Sequence, residues 1–358
     1  MRPYKSDCIK PFGVISGTVG VLMIKKPLKG FFHSLLSVAG WLKLKTLQQP
    51  TLVILTYHRI LPMDSKFRHQ EQPGMIASPD TLQCHLSLFR SLGASFVDLE
   101  DWLNRKSAGA QLPKLAVAIT FDDGWRDNYT YAFPILKAFE APATIFLVSK
   151  YLDTHRVFWP EQVIRYVTIE PQQRPQAIHE WLRNYAGSLP FEDRPLTIEE
   201  ADVLIDNLKT LDDQTILEQL ERSTVSEEEP VRQILNSKEL IEMHGSGLVR
   251  FGAHTRQHFR LNRLTDPLAL RNEIVLCKDD LEALGVGTIS LFCYPNGDIT
   301  NQGERFVAEA YLGACTTKNG INSADTSPYN LKRFNFHDGN GKSRRLCFST
   351  IGRSLIFA

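Results

Sequence analysis

Four polar residues in two distant segments have the types and spacing of a metal site. Asp122 and Asp123 are adjacent and precede a glycine, and His254 and His258 lie four positions apart far downstream. One carboxylate and two imidazoles can bind a divalent cation while leaving positions open for water and substrate. The second carboxylate could then act as a general base. This set of residue types predicts a metal-assisted hydrolase.

The segments before these residues are typical of buried strands. Leu115–Phe121 is a continuous apolar and β-prone run, and Val249–Ala253 is a shorter run of the same kind. Asp122 and His254 would therefore follow strand ends, at the edge where α/β folds bind their ligands. We expect the two halves of the site to meet at one face of one sheet.

Each half of the site could also be an ordinary structural feature that has no role in catalysis or metal binding. The two aspartates could form a solvated turn in which Gly124 supplies a permissive backbone. His254 and His258, on a helix, would share one face whether or not they bind a metal. Their combined position at predicted strand ends favours the metal site.

Several further motifs accompany these residues. They are D-D-G-W-R-D-N-Y from Asp122, A-P-A-T-I-F-L from Ala141, H-T-R-Q-H from His254 and F-C-Y-P-N-G from Phe292. Together they resemble the polysaccharide deacetylase family, which is carbohydrate esterase family 4 of NodB type. The resemblance implies an α/β fold, namely a distorted (β/α) barrel with a helical insertion. It also implies removal of N-acetyl groups from the amino sugars of a polysaccharide or a lipid-linked glycan.

The resemblance also implies a role for each candidate residue. Asp122 would be the general base, while Asp123, His254 and His258 would bind one divalent metal ion. We expect zinc, although this donor set also suits cobalt, nickel and iron. The turn that stabilises the oxyanion would comprise Tyr294, Pro295 and Asn296, with the backbone N–H of Asn296 as the donor.

Two histidines are candidates for the acid that protonates the departing amine. His337 follows the apolar segment 331–336, where many family members carry this acid, and His58 ends the strand-like segment 52–60. The second arrangement resembles circularly permuted deacetylases, in which the strand that closes the barrel comes first. We expect His58 to be the acid and keep His337 as the alternative. Either histidine could instead merely end a strand.

One position departs from the family pattern. Many members carry an arginine two residues before the proline of the third motif, where it orients the catalytic aspartate, and this chain has Cys293 there. A thiol cannot replace the donors of a guanidinium. Either another arginine compensates, with Arg126 and Arg333 as candidates, or the base is tuned differently. Cys293 itself is more typical of a small buried residue than of a metal ligand.

Composition restricts the classes of partner and compartment. The chain has 358 residues, a formal net charge of +1 and no basic stripe, which argues against nucleic-acid binding. Its six cysteines form no closely spaced pairs, so neither a disulfide framework nor a thiolate metal site is predicted. We expect an N-acetylated carbohydrate as partner. A cytoplasmic or inner-membrane-associated location is favoured over the periplasm.

Changes in pattern along the chain predict its domain organisation. Residues 1–50 form an arm, 51–154 the first part of the barrel, 155–246 a charged helical insertion, and 247–358 the second part. Beyond the uncharged segment 11–24, which is too short to span a bilayer comfortably, Phe31, Leu35, Val38 and Leu42 recur at helical spacing. Such a helix could lie on a membrane surface or dock on the barrel.

Two other functions remain open at this point. The first is hydrolysis of another C–N bond, in an amide or a cyclic imide, and it includes versions without a metal. The second is carbohydrate binding by a non-catalytic relative. Retention of the three metal ligands disfavours metal-free chemistry, and retention of Asp122 disfavours a binding protein.

Overall fold

The computed structural model describes residues 22–223 and 231–354. The strands are β1 (Thr51–Tyr57), β2 (Arg59–Ile60), β3 (Ile76–Ala77), β4 (Ser95–Phe96), β5 (Leu115–Phe121), β6 (Ala143–Leu147), β7 (Val249–Ala253), β8 (Leu291–Cys293), β9 (Gly313–Cys315) and β10 (Phe334–Asn335). The helices are α1 (Leu22–Lys45), α2 (Pro79–Ser91), α3 (Leu99–Ser107), α4 (Phe133–Ala138), α5 (Trp159–Val167), α6 (Gln176–Ala186), α7 (Ile198–Leu208), α8 (Asp213–Ser223), α9 (Ser237–Gly245), α10 (Pro267–Glu282), α11 (Asn301–Ala310), α12 (Asp338–Gly341) and α13 (Arg344–Arg353).

In the described part of the chain, eight strands form one parallel sheet in the order β10-β1-β5-β6-β7-β8-β9, with β4 also paired to β5. A single bridge between Cys315 and Leu331 joins β9 to the segment that leads into β10. The sheet therefore curls round into a distorted barrel, as predicted. The first strand, β1, lies between β10 and β5, which confirms the permuted strand order.

Strands β1 and β5 are buried along their whole length because both of their faces are covered. Their side chains alternate between two sets of buried residues. Leu52, Ile54, Ala116 and Ala118 pack with residues such as Phe146 and Cys293, whereas the intervening side chains pack with those of the surrounding helices. This two-residue period is what a strand between two layers requires.

Helices α5–α8 contribute to a separate set of buried residues, which includes Val163, Leu182, Leu204 and Ile216. Helix α9 differs from them, although it also lies within the predicted 155–246 insertion. Its Leu240 and Met243 pack in the main core, so α9 belongs with the barrel.

Helix α1 docks on α13 through two glycines. A Cβ atom on Gly40 would lie 2.2 Å from the carbonyl oxygen of Phe348, so the helix backbones approach closely. On the opposite face of α1, Leu35, Val38 and Leu42 are 54%, 55% and 46% exposed. The side chain of Phe31, and residues 1–21 of the predicted arm, lie outside the described residues. Among the described helices, none is long and apolar enough to span a membrane.

Candidate metal centre and active site

Three predicted metal ligands converge at the carboxyl edge of the sheet. Asp123 follows β5 and His254 follows β7, and the Nε2 atoms of His254 and His258 each lie 3.4 Å from Asp123 Oδ1. The donor atoms of these three residues lie within 4.8 Å of one another. The segment that carries the histidines is an irregular loop rather than a helix. The pair therefore meets through loop geometry, not through helical spacing.

The backbone is strained in the loops that form the site. Asp123, Thr255, His258 and Asn296 all have a positive φ, between 54° and 73°, which is uncommon for residues with side chains. Such conformations persist where the surrounding structure imposes them, and they cluster at functional sites. Gly124, with φ 75°, is also constrained by space, because a Cβ atom there would lie 2.9 Å from Leu147 Cδ2.

The donor set fits a divalent metal ion. His254 Nδ1 donates a hydrogen bond to the Cys293 carbonyl at 2.7 Å, which fixes the tautomer and leaves Nε2 as a ligand. Asp123 Oδ2 accepts a hydrogen bond from Trp125 Nε1 at 3.0 Å, whereas Oδ1 is buried without a hydrogen-bond partner among the described residues. A buried carboxylate oxygen seldom lacks a partner, so this atom points to a missing ligand.

The charges of the ligands keep Asp123 ionised, as a metal ligand must be, but favour a proton on His258. Burial alone would raise the pKa of Asp123, but the His254 and His258 imidazoles outweigh it and hold this pKa well below its ordinary value. Burial likewise lowers the pKa of His258, and the Asp123 carboxylate outweighs it, so the net shift is upward. Because a metal must displace that proton from His258, binding should weaken in acid.

Arg333 orients the candidate base. Its Nη1 and Nη2 atoms donate to the two carboxylate oxygens of Asp122 at 2.7 and 2.8 Å, and both side chains are buried. Burial alone would raise the pKa of Asp122, but the charge and hydrogen bonds of Arg333 outweigh it, so this pKa is lowered. Of the two candidate arginines, Arg333 is thus the one that contacts Asp122.

Cys293 occupies the space beside this pair. Its Sγ atom lies 3.1 Å from Arg333 Nη2 and 3.6 Å from Asp122 Oδ2. Asp122, His254 and Cys293 could also be grouped as ligands, but burial raises the pKa of the Cys293 thiol well above its ordinary value. A neutral thiol beside a guanidinium is a poor metal ligand. The set built on Asp123 is therefore the better metal centre.

The two candidate acids lie in different places. His58 follows β1, lines the same pocket as the metal ligands, and places Nε2 3.8 Å from Asp122 Oδ2. His337 does not line this pocket, and its Nδ1 accepts a hydrogen bond from the Gly339 N–H at the start of α12. The structure therefore brings His58 to the site and leaves His337 in a neighbouring cavity.

Arg126 is not part of the site, and the prediction that it could orient Asp122 is wrong. Its side chain is 46% exposed and pairs with Glu239 at 2.9 Å, outside the metal pocket. The turn after β8 does reach the pocket, through Tyr294 and Asn296. Pro295 between them is buried.

The pocket has a volume of about 370 Å³ and includes residues of the insertion. Trp159, Glu161, Asp202, Asp206, Lys209 and Asp213 line it beside the metal ligands. Trp159 Nε1 donates to Asp213 at 3.2 Å, so this ring is held in place at the pocket wall. The insertion therefore shapes the site from one side.

Sequence reasoning missed a buried network behind the metal ligands. Arg59 lies over the Trp125 ring at 4.1 Å and pairs with Asp127 and Glu71, so it fixes the indole that holds Asp123. Glu161 is also buried, and burial together with Glu71 raises its pKa well above its ordinary value. The sequence could have indicated this network, because Arg59 directly follows His58 and Asp127 lies just after the D-D-G-W motif.

Comparisons with known proteins give matches to one family model and to several enzymes. A family model described as polysaccharide deacetylase matches residues 109–184 and 211–312, and the unmatched stretch between them lies in the helical insertion. A poly-beta-1,6-N-acetyl-D-glucosamine N-deacetylase of Escherichia coli is 34% identical over 84 residues, which make up 24% of this chain and 12% of that protein. The Staphylococcus epidermidis protein of the same name is 26% identical over 114 residues, or 30% of this chain and 39% of that one. The matches thus span well under two thirds of either relative.

Solved structures share the fold over most of the chain. IcaB from Ammonifex degensii superimposes with a TM-score of 0.54 at 18% identity and covers 85% of this chain and 99% of its own. The Streptococcus pyogenes deacetylase PplD, solved in complex with acetate, has a TM-score of 0.53 at 21% identity and covers 84% and 99%. At these low sequence identities, the structural similarity establishes a shared fold and nothing more.

Proposed function

Because this chain belongs to the polysaccharide deacetylase family, we propose that it is a metal-dependent hydrolase that removes N-acetyl groups from the amino sugars of a polysaccharide or a lipid-linked glycan. The observation that carries the proposal is that one pocket contains both a set of metal ligands and a candidate general base. Asp123, His254 and His258 converge as a ligand set, and Asp122 lies beside them as a carboxylate kept ionised by Arg333.

The metal supplies the activation that an amide needs. When bound, it polarises the acetyl carbonyl and lowers the pKa of a water molecule in the pocket. Asp123, His254 and His258 would hold it, and zinc, cobalt, nickel and iron all suit these donors. Zinc is our choice among them.

The residues around the ligands would move the protons. Asp122 accepts the proton of the attacking water, since its pKa is low enough to keep it a carboxylate. His58 lies beside Asp122 in the pocket and donates a proton to the departing nitrogen. The backbone N–H of Asn296, in the turn after β8, stabilises the oxyanion, a contribution of ~2.7–4 kcal/mol for one donor.

The test measures metal content and acetate release on the same protein. Purified protein is assayed with N-acetylglucosamine oligomers, and the Asp122→Asn variant is compared with the wild type. The amide is nearly isosteric but cannot accept the proton, so we expect unchanged metal content and a turnover lower by more than about a hundredfold. The control is Asp193→Asn, which changes an exposed carboxylate that does not line this pocket and should leave metal content and turnover unchanged.

Two results would contradict the proposal. The first is stoichiometric metal with no acetate release from any N-acetylated sugar, combined with hydrolysis of a cyclic imide. The second is Asp122→Asn turnover within about tenfold of the wild type, a barrier change below ~1.4 kcal/mol, which would place the base elsewhere.

The proposal extends to the surface of a membrane. The exposed face of α1 carries Phe32, Leu35, Val38 and Leu42, and the last turn of the helix carries Lys43 and Lys45. An apolar face flanked by cations complements the headgroups and acyl chains of anionic lipid. We propose that this face lies on the inner-membrane surface and keeps the enzyme near a glycan made there.

Co-sedimentation with vesicles tests this extension. The full chain should sediment with phosphatidylglycerol vesicles, and the Leu35→Gln, Val38→Gln, Leu42→Gln variant should stay in solution. The matched control, Val203→Gln, Ile241→Gln, Leu268→Gln, removes three equally exposed apolar side chains elsewhere and should still sediment. Sedimentation of the α1 variant to the same extent as the control variant would exclude α1 as the membrane-binding face.

A further inference from the structure

A second cavity adjoins the metal pocket. Its volume is about 1050 Å³, and Pro73, Met75 and Asn335 line both cavities. The C-terminal helix α13, the end of the barrel around β10, and His33 of α1 form its other walls. It is large enough for a sugar-sized ligand, since ligand sites commonly occupy ~300–1,000 Å³. The proposed reaction leaves this space unused.

The charge of this cavity is opposite to that of the metal pocket. Lys318, Lys332 and Arg353 line it, and no carboxylate is among its described lining residues. Six acidic side chains and one lysine line the metal pocket next to it, namely Asp122, Asp123, Glu161, Asp202, Asp206, Asp213 and Lys209. A ligand that spans the two cavities would therefore meet carboxylates at one end and cations at the other.

In the described part of the chain, the three cations have no carboxylate partner. Across the described ranges 22–223 and 231–354, none of Lys318, Lys332 and Arg353 forms an ion pair. Asp338, the acidic residue nearest to Lys332 along the chain, is already occupied, because it accepts hydrogen bonds from Arg68, from the Ser78 N–H and from Thr81. The side chains of Asn319 and Asn335 add neutral donors to the same wall.

We propose that this basic cavity binds a phosphate group attached to the glycan whose N-acetyl group occupies the metal pocket. The inference rests on the proposed function and narrows its substrate to a phosphate-bearing amino sugar. Lysine binds phosphate as a point charge, and arginine can bind it through two N–H groups. The phosphate could belong to a lipid carrier or to the glycan itself, and the chemistry of recognition is the same for both.

The first test measures binding, so that it does not depend on turnover. Calorimetry compares N-acetylglucosamine 1-phosphate with N-acetylglucosamine on the metal-loaded Asp122→Asn protein. We expect the phosphorylated sugar to bind at least about tenfold more tightly, with the advantage falling at high salt. The Lys318→Gln, Lys332→Gln, Arg353→Gln variant should lose this advantage while its metal content stays the same.

A matched variant separates local binding from a general change in charge. Lys114→Gln, Lys238→Gln, Arg271→Gln also removes three exposed cations, none of which lines this cavity, and it should keep the preference. Equal binding of the two sugars by the Asp122→Asn protein would overturn the proposal. So would a preference that survives in the Lys318, Lys332, Arg353 variant, since the phosphate would then bind elsewhere, for example at the metal.

A second test uses turnover to identify the source of the phosphate. The wild type is given a neutral N-acetylglucosamine oligomer, the same oligomer with a phosphate at its reducing end, and the oligomer linked to a polyprenyl phosphate in vesicles. A higher kcat/KM for either phosphorylated substrate supports the inference, and the one preferred identifies the source. Equal kcat/KM for all three overturns the inference and leaves the deacetylase proposal intact. Absence of turnover on all three counts against the deacetylase proposal instead.

Discussion

At the scale of single residues, Asp122 and Arg333 form one unit although 211 positions separate them. A buried carboxylate without a partner would be protonated or strongly destabilising, and a two-pronged guanidinium prevents both. The guanidinium that contacts Asp122 thus comes from the segment just before β10 and lies beside Cys293. The small Cys293 leaves the space that Arg333 fills.

The Arg333→Met substitution should therefore impair the base and not the metal site. Without the guanidinium, burial raises the pKa of Asp122, so the acidic limb of the pH–rate profile should move to higher pH. We expect kcat to fall by more than about tenfold at neutral pH while metal content is retained. Arg126→Met is the matched control and should have no such effect, and Cys293→Arg added to Arg333→Met should restore part of the rate.

A second residue-scale prediction separates the two histidines. His58→Ala should lower the turnover number strongly and remove the alkaline limb of the pH–rate profile, because that limb reports the acid. His337→Ala should do much less, since His337 lies outside the metal pocket. Loss of activity in His337→Ala with an intact alkaline limb in His58→Ala would show that His337 is the acid.

At the scale of elements, strand register explains why the site residues are neighbours. Tyr57 pairs with Phe121 across β1 and β5, so His58 and Asp122 leave adjacent strands side by side. Leu147 pairs with Ala253 across β6 and β7, which brings His254 to the same edge. Parallel strands end at one edge, and the residues that follow them therefore converge.

The junction of β1, α2 and α12 makes stability depend on pH. His85 donates from Nε2 to the Gly341 carbonyl and accepts from the Tyr57 hydroxyl at Nδ1, at 2.8 and 2.7 Å. Burial lowers the pKa of His85 to about 4. Between pH 6.5 and 4, His85 is protonated in the unfolded chain but not in the folded protein. The free energy of unfolding should therefore decrease, by up to roughly 3 kcal/mol, as the pH is lowered through this range.

Urea unfolding at pH 7.5 and 4.5, with a chelator present, measures this dependence. His85→Gln should be less stable at pH 7.5 but should lose less stability on acidification than the wild type does. His69→Gln changes an exposed histidine and should follow the wild type. Identical slopes for His85→Gln and the wild type would assign the acid sensitivity to other groups.

Because α1 docks on α13, we expect alanine substitutions at two glycines of α1 to change stability in opposite directions. Gly40→Ala places a methyl group 2.2 Å from the Phe348 carbonyl oxygen, and it should lower stability by about 1–3 kcal/mol. Gly30→Ala, with open space around it, should raise stability by about 0.5–1 kcal/mol through helix propensity. Thermal unfolding of both variants checks the signs. A stabilised Gly40→Ala would contradict the close helix contact.

At the scale of the whole molecule, the metal site joins two distant parts of the chain. Asp123 lies before the insertion and His254 and His258 lie after it, so a bound metal connects both parts of the barrel. Metal that binds the folded state alone stabilises it, by ~4 kcal/mol when its concentration is a thousandfold above Kd. A chelator should therefore lower the Tm of the wild type. It should leave the Tm of the His254→Ala, His258→Ala variant unchanged, and an equal decrease in both would exclude this site.

The sequence alone predicted that Asp122 and His254 follow buried strands, because each comes directly after an apolar run, and the family resemblance implied the distorted barrel. Leu115–Phe121 and Val249–Ala253 were predicted with the boundaries they have, whereas the permuted position of 52–57 was implied by the resemblance to circularly permuted deacetylases. Hydrophobic periodicity is local, so it can be read directly from the chain. The roles of individual site residues and the domain boundaries remain predictions.

Tertiary structure decided what depends on distant neighbours. Two arginines were candidates to orient Asp122, and only folding shows that Arg333 reaches it and Arg126 does not. The loop at His254 and His258 has positive φ values that override helical spacing, and α9 packs with the barrel, not with the insertion. The basic cavity gathers Lys318, Lys332 and Arg353 from separate segments. Contacts, cavities and electrostatic pairing arise when segments far apart in sequence meet, and no local pattern encodes them.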